Sequence, residues 1–226
     1  MTGERGSAVL PQGRRAWLGL VAVLAALVVV ALAGLYAGGS RPGAPDRRIG
    51  AAAEDTGPAW RDVALGVDFL GEPGGAALLV AAAAAGALVV RRPRAALLVV
   101  LGPALAVAAT KLLKPLVGRT IHDGSLSFPS GHTAFLTAFA LAVALLATGR
   151  TGPGGAYGPA LVLGAATAAG AAMGWAQVVL GAHYPTDALG GWCTALAVTP
   201  ATAWLLDRTA DRPARRSVDA TPPGPR

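Results

Sequence analysis

Two short strings contain residue types that could perform nucleophilic or acid–base chemistry: Pro-Ser-Gly-His at 129–132 and His-Tyr-Pro-Thr-Asp at 183–187. The chain has three histidines, and these strings hold two of them. The third is His122. All three lie in connections beside apolar segments that are long enough to cross a bilayer. Because an imidazole titrates near neutral pH, histidines at the mouths of membrane helices indicate chemistry at the membrane surface.

The residue types in the two strings suit a reaction at a phosphate group. Ser130 is a favourable helix N-cap, so the amides of Gly131 and His132 would point outward at a helix N-terminus and bind an anion. His183 could attack phosphorus, and His132 could protonate the leaving oxygen. Asp187 follows His183 by four residues and could hold its second ring nitrogen, fixing the tautomer as in a catalytic triad.

Cationic residues precede the first string, where the third apolar segment ends. Lys114 and Arg119 could supply positive charge to phosphate oxygens. Lys111 is a further candidate from the same region. The alternative for both lysines is an interfacial position with the ammonium group extended toward water.

The elements that must position these residues are predicted to be membrane helices, in an all-α bundle of six spans. The apolar segments place the spans at roughly 16–37, 75–90, 95–113, 132–148, 159–180 and 187–206. A short helix on the outer surface is predicted within 56–73, where apolar residues recur at helical spacing. The flanking regions are an N-terminal tail over 1–15 and a polar, disordered tail over 207–226.

Arginine placement predicts the orientation of the bundle. Arginines precede span one, follow span six, and lie between spans two and three and between spans four and five, which are all on one side. The outer loop after span one also carries Arg41, Arg47, Arg48 and Arg61, which are accompanied by Asp46, Glu54, Asp55 and Asp62. The positive-inside rule makes that side cytoplasmic, so both termini are cytoplasmic and all three candidate regions open outward. Arg14 and Arg15 before span one could instead mark a cleaved export signal, but an apolar run of about 22 residues favours a retained helix.

The composition excludes several other classes of protein. Of 226 residues, 54% are hydrophobic and only 14% are charged, well below the roughly 25% of soluble proteins. The net charge of +7 could indicate a nucleic-acid partner, but the arginines cluster at segment ends, as membrane topology requires. The single cysteine excludes an internal disulfide, and the sequence contains no glycine-rich nucleotide loop and no Cys-x-x-Cys pair.

The two strings resemble motifs of the type-2 phosphatidic acid phosphatase superfamily, which are integral membrane lipid phosphatases with motifs K-x6-R-P, P-S-G-H and S-R-x5-H-x3-D. The second motif is complete at 129–132, and the last two residues of the third match His183 and Asp187. The resemblance covers most of the chain and includes the six-span layout. It implies a metal-free phosphohistidine mechanism with His183 as nucleophile, Asp187 as its orienter and His132 as the acid. The serine and glycine of the second motif become phosphate binders.

The first motif departs from the family pattern. Lys114 matches the family lysine, but the family arginine falls on Ile121 and the following proline on His122. Arg119 lies two residues before the expected arginine and could substitute for it. Lys111 and His122 could also compensate, although His122 lies beside a turn signal.

The third motif also departs, because the family Ser-Arg pair falls on Ala176 and Gln177. Gln177 can offer a phosphate only neutral hydrogen bonds, or it could serve in helix packing alone. Either other cations compensate for the two missing arginines, or the site is altered.

The leading hypothesis is an outward-facing phosphatase for a membrane lipid such as a polyprenyl phosphate or pyrophosphate, phosphatidic acid or phosphatidylglycerol phosphate. No cofactor is predicted, and the partners are the lipid substrate and the bilayer. An outer-face site favours substrates of envelope synthesis, and the high alanine, glycine and arginine content is compatible with a bacterium. One alternative is a non-catalytic descendant that binds or moves phospholipid. Another is a zinc enzyme using the three histidines and Asp187, which the phosphate-type loop disfavours.

Overall fold

The structure is a computed structural model that describes residues 8–10, 12–54, 56–122, 124–148 and 158–219. Its described residues form helices and one isolated antiparallel bridge between Thr120 and Leu126. The helices are α1 (Gln12–Tyr36), α2 (Ala44–Glu54), α3 (Pro58–Phe69), α4 (Pro73–Val89), α5 (Pro93–Val117), α6 (Gly131–Thr148), α7 (Gly158–Val179) and α8 (Pro185–Asp219).

The helices confirm the predicted all-α membrane bundle. Five of them, α1, α5, α6, α7 and α8, are long and apolar enough to cross a membrane. A sixth span arises when α3 and α4 are taken together, although a bend of 57° separates them. The helix predicted within 56–73 is therefore present as α3, directly before the second predicted span.

Two features of the fold differ from the predictions. Helix α2 was not predicted, because residues 44–54 have low hydrophobicity and were interpreted as an outer loop. The disordered tail expected from residue 207 is also partly wrong, since α8 continues to Asp219. Residues 1–7 and 220–226 of the predicted tails lie outside the described residues.

A buried aspartate explains why the helical structure continues past residue 206. Asp207 is buried and accepts hydrogen bonds from the backbone amides of Val9 (2.9 Å) and Leu10 (2.8 Å). Arg94 lies 3.7 Å from the same carboxylate and bonds Asp211 at 3.1 Å. These contacts connect residues 9–10, the start of α5 and the 207–211 turn of α8 at one end of the bundle.

The opposite end holds both strings, and its geometry begins with the end of α5. Gly118 adopts a left-handed conformation (φ 66°) and its amide bonds the carbonyl of Lys114, which terminates the helix. The chain then folds back on itself, with the amide of Ser127 donating to the carbonyl of Arg119 at 2.8 Å. This tight connection leads directly into α6.

Two glycines let α8 approach the start of α6. A Cβ atom on Gly191 would lie 2.3 Å from the carbonyl oxygen of Ser130, and one on Gly190 would lie 2.4 Å from the Phe128 ring. Phe128 and Ser130 are fully buried at this crossing. Close helix contact through small residues is typical of membrane bundles. Here it brings the two sequence strings together.

We predict that Gly191→Ala destabilises the protein by about 1–3 kcal/mol, because the new methyl group meets backbone that cannot rotate away. Gly164→Ala is the matched control, since a Cβ there has nothing within 4 Å. Unfolding in mild detergent measures both variants. Equal stability of the two variants would show that the α6–α8 contact is looser than described.

Candidate active site

The two sequence strings meet at one end of the bundle. The amide of Ser130 donates to the carbonyl of Asp187 at 2.9 Å, joining the residue before α6 to the first turn of α8. The Ser130 hydroxyl accepts a hydrogen bond from the amide of Thr133 at 3.3 Å, which is the N-cap geometry that the sequence predicts. Gly131 and His132 therefore occupy the first turn of α6, as expected for an anion-binding helix terminus.

His183 lies in the turn between α7 and α8. Gly181 takes a left-handed conformation (φ 72°), and the amide of His183 donates to the carbonyl of Gln177 at 3.3 Å, which caps α7. The imidazole Nδ1 lies 3.7 Å from Asp187 Oδ2. This nitrogen is buried and has no hydrogen-bond partner among the described residues. The predicted pairing is thus a close approach, about 1 Å longer than a hydrogen bond.

Arg119 occupies a closed position beneath the site. Its side chain is 0% exposed, and Nη1 bonds Asp187 Oδ1 at 2.6 Å and Thr186 Oγ1 at 2.7 Å. The guanidinium group also lies over the ring of Tyr36, 3.9 Å from its centroid. The prediction that Arg119 binds phosphate is therefore not supported, because its guanidinium is enclosed and both Nη atoms are bound to protein groups. Its Nε is buried without a hydrogen-bond partner among the described residues.

Asp46 from α2 provides the second carboxylate for Arg119, at 2.7 Å from Nη2. Its oxygens also accept hydrogen bonds from the Thr186 amide (2.9 Å) and the Gly43 amide (3.0 Å). Burial by itself raises the pKa of Asp46, but the hydrogen bonds from Thr186, Arg119 and Gly43 outweigh burial and lower the pKa below its ordinary value of 3.8. Asp46 is therefore held as an anion in the folded protein.

A cavity of about 720 Å³ brings together most of the other predicted residues. Its mostly apolar wall comes from α4, α5 and α6. Its polar end is formed by Lys111, Lys114, Gly131, His132 and His183. We call it the apolar cavity. The Lys114 ammonium group also donates to the carbonyl of Leu126 at 2.7 Å, which holds the lysine at the α5–α6 connection.

Gln177 and His122 lie outside the lining of the apolar cavity. Gln177 is buried, and its amide nitrogen makes a short hydrogen bond to Asp68 on α3. His122 is exposed and packs edge-on against Tyr184, with ring centroids 6.0 Å apart. Gln177 therefore serves a contact between α3 and α7, whereas His122 borders a second cavity that also contains His183.

Two aspartates at this end were not identified from the sequence. Asp46 lies in the first turn of a helix that begins Ala-Pro-Asp, which is a start signal that the low hydrophobicity of the segment obscured. Asp68 lies in the predicted outer helix within 56–73, and its Oδ1 is 3.8 Å from His132 Nε2. Gly71 makes this approach possible, because a Cβ there would lie 2.5 Å from the His132 ring.

The described side chains do not support the zinc alternative. Within the ranges that the structure describes, no three His, Cys, Asp or Glu residues are arranged to hold one metal ion. His122 and His132 line different cavities.

Comparisons with known proteins agree with the fold. A family model described as the PAP2 superfamily matches residues 15–210. The structure is similar to a crystal structure of a transmembrane PAP2-type phosphatidylglycerolphosphate phosphatase from Bacillus subtilis, with a TM-score of 0.65 and 24% sequence identity. That match covers 86% of this chain and 98% of the other. No curated protein matches the sequence significantly.

Removal of Arg119 is expected to destabilise the protein strongly. Arg119→Met leaves two buried carboxylates without their cation and should cost about 3–5 kcal/mol. Arg119→Lys should recover little, since an ammonium group cannot reproduce the fork that spans Asp46 and Asp187. Arg48→Met on the exposed side of α2 is the control and should stay within about 0.5 kcal/mol. Unfolding in detergent tests the set, and a mild effect of Arg119→Met would contradict the closed network.

The contribution of Asp46 should depend on pH with a defined sign. Because folding lowers its pKa, the stabilisation is fully present above the ordinary value of 3.8 and is lost as the pH falls through the folded value. Asp46→Asn should therefore lower stability most near neutral pH, and the difference from wild type should shrink below about pH 4. Unfolding measured from pH 3 to 7 checks this. A constant difference across that range would contradict it.

Proposed function

Since the chain belongs to the PAP2 superfamily, we propose that it is a membrane lipid phosphatase that hydrolyses a phosphate ester or pyrophosphate through a phosphohistidine intermediate. The observation that carries this proposal is the apolar cavity, which ends at both catalytic candidates, His132 and His183. A site that joins apolar walls to a few convergent polar groups suits a ligand with an apolar body and a charged head.

The substrate lipid enters the apolar cavity from the side. Ala76 and Val80 on α4 face Val100 and Val107 on α5 across this space. An acyl or prenyl chain between these helices remains in contact with apolar groups along its length. Its phosphate then reaches the polar end beside His183.

The chemistry follows from the two histidines. His183 Nδ1 faces Asp187, so Nε2 is the attacking atom. A bond forms between Nε2 and phosphorus while the bond from phosphorus to the leaving oxygen breaks, and His132 donates a proton to that oxygen. In the second step water attacks phosphorus, His132 accepts the proton of that water, and the nitrogen–phosphorus bond breaks. Phosphate is released and both histidines return to their starting states.

Positive charge and dipoles stabilise the transferring phosphoryl group. The amides in the first turn of α6 face it, and Lys111 and Lys114 supply cations at the edge of the apolar cavity. Ser130 contributes by capping α6, because its hydroxyl accepts the Thr133 amide and so fixes the terminus that faces the phosphate. Arg119 is a positioning residue, because it holds Asp187 and Thr186 instead of touching the substrate.

The site faces the extracytoplasmic side in this proposal, and both termini are cytoplasmic. Support comes from the arginines at the far end of the bundle, which are Arg14, Arg15, Arg92, Arg94 and Arg208. The positive-inside rule assigns such an end to the cytoplasm. An outward site suits lipids of bacterial envelope synthesis, namely polyprenyl phosphates and pyrophosphates, phosphatidic acid or phosphatidylglycerol phosphate.

A second candidate function is lipid binding or transport without turnover. The observation that favours it is the loss of arginine at Ile121 and Gln177, combined with the enclosure of Arg119. Gln177 is neutral and hydrogen-bonded to Asp68, and Ile121 is apolar, so neither residue offers a charge to the substrate. Binding of a lipid phosphate by the wild-type protein without any release of phosphate would support this function.

We predict that His183→Ala lowers phosphate release by at least about 10⁴-fold, because it removes the nucleophile. The assay uses purified protein in detergent with a chelator present, and it compares polyprenyl pyrophosphate, polyprenyl phosphate, phosphatidic acid and phosphatidylglycerol phosphate. Asp62→Asn, an exposed carboxylate on α3, should retain wild-type turnover. Full activity of His183→Ala would refute the mechanism. Absence of turnover by the wild type with all four lipids would favour the binding function.

A further inference from the structure

A second cavity lies on the other side of His183. It measures about 470 Å³ and is bordered by α2, α3, the α5–α6 connection and the turn between α7 and α8. Of the described residues that line the two cavities, His183 alone is common to both. We call this second space the polar cavity. The candidate nucleophile therefore lies between an apolar cavity and one whose lining is more polar.

Two arginines and a histidine line the polar cavity. Arg47 comes from α2, Arg61 from α3 and His122 from the α5–α6 connection. Asp46 also borders this space, and it shares the single positive charge of Arg119 with Asp187. These three groups together carry one net negative charge, which the two arginines of the lining outweigh. Within the described ranges, no ion pair joins Arg47 or Arg61 to a carboxylate. Arg47 Nη1 donates to the neutral carbonyl of Pro42 at 2.9 Å. The two guanidinium groups place positive charge on the wall of the cavity, where it attracts an anion that enters.

The two products of the proposed reaction have opposite requirements. The lipid alcohol is stable among the apolar groups of the apolar cavity. Inorganic phosphate is a small anion, and its passage through apolar surroundings would carry a large desolvation cost. A phosphate that forms at His183 borders the polar cavity directly, where guanidinium groups can replace its hydration with charge-assisted hydrogen bonds.

We propose that the polar cavity is a binding site for inorganic phosphate and the route by which this product leaves His183, with Arg47, Arg61 and His122 as its ligands. This proposal rests on the proposed function. Inorganic phosphate forms when the phosphohistidine is hydrolysed. The water oxygen bonds to phosphorus, the nitrogen–phosphorus bond to His183 breaks, and a proton of the water passes to His132. The free anion then moves away from the apolar cavity toward Arg61.

The position of Ile121 fits this assignment. Its apolar side chain borders the polar cavity at the place where the sequence comparison expects an arginine. The cations at this cavity come instead from α2 and α3, which carry none of the sequence strings that resemble the family motifs. Positive charge is therefore present beside His183 even though the motif arginine is absent.

The test measures product binding and substrate binding separately, with inorganic phosphate as the probe. The double variant Arg47→Gln and Arg61→Gln should raise the inhibition constant for phosphate about tenfold, the size of one charge-assisted hydrogen bond. The KM for the lipid should stay unchanged, because the lipid occupies the apolar cavity. Exchange of oxygen between phosphate and labelled water, run without lipid, should slow by a similar factor. Arg48→Gln on the same helix lies outside the cavity lining and is the control.

Two results would overturn the phosphate route. If the double variant raises the KM for lipid while the inhibition constant for phosphate stays the same, the cavity binds the lipid headgroup. If neither constant changes, the cavity binds no phosphate. A wild type that turns over no lipid would refute the proposed function instead, and equilibrium titration with inorganic phosphate would then decide whether Arg47 and Arg61 bind the anion.

Discussion

A guanidinium group that is removed from water must find fixed partners, and this requirement organises the site end of the molecule. Desolvation of an ion costs several kcal/mol, so Arg119 at 0% exposure is tolerated only because carboxylates and a hydroxyl surround it. Its partners come from separate elements: Asp46 from α2, and Thr186 and Asp187 from the first turn of α8. Satisfying one charge therefore fixes the α5–α6 connection, α2 and the start of α8 relative to one another. The turn that carries His183 follows from that arrangement.

The same network shapes the chemistry available at His183. Asp187 divides its oxygens, since Oδ1 binds Arg119 and Oδ2 accepts the amide of Tyr184 while facing the imidazole. Arg119 fixes the rotamer of Asp187 through its bond to Oδ1, so the orienting group is in place before the substrate arrives. Arg119 is paired with Asp46 and Asp187, so the cations that can face a phosphate lie elsewhere. They are Lys111 and Lys114 in the apolar cavity, and the arginines of the polar cavity.

The sequence predicts the parts of this molecule that depend on local chemistry. Five of the six apolar segments form helices long enough to cross a membrane, and the segment of α4 does so only together with α3. Ser130 caps α6 because its hydroxyl accepts a hydrogen bond from the backbone amide three residues ahead. The predictions that were wrong or missing concern residues whose burial depends on packing between helices that are distant in sequence. Arg119 looked like a phosphate ligand because its type and place suited one, and only the packing of α2 and α8 around it shows that it is enclosed. Asp46 and Asp68 were missed because carboxylates in outer segments usually face water, and no local pattern shows that a distant helix covers them.

In the proposed reaction, His183 carries the phosphoryl group between the apolar and polar cavities. The most direct measurement is to quench the enzyme during turnover of a lipid phosphate and to locate the covalent phosphate by mass spectrometry under alkaline conditions that preserve phosphohistidine. We expect an acid-labile phosphate on His183 that is absent from His183→Ala. Rapid phosphate release with no phosphorylated His183 under the same quench would contradict it.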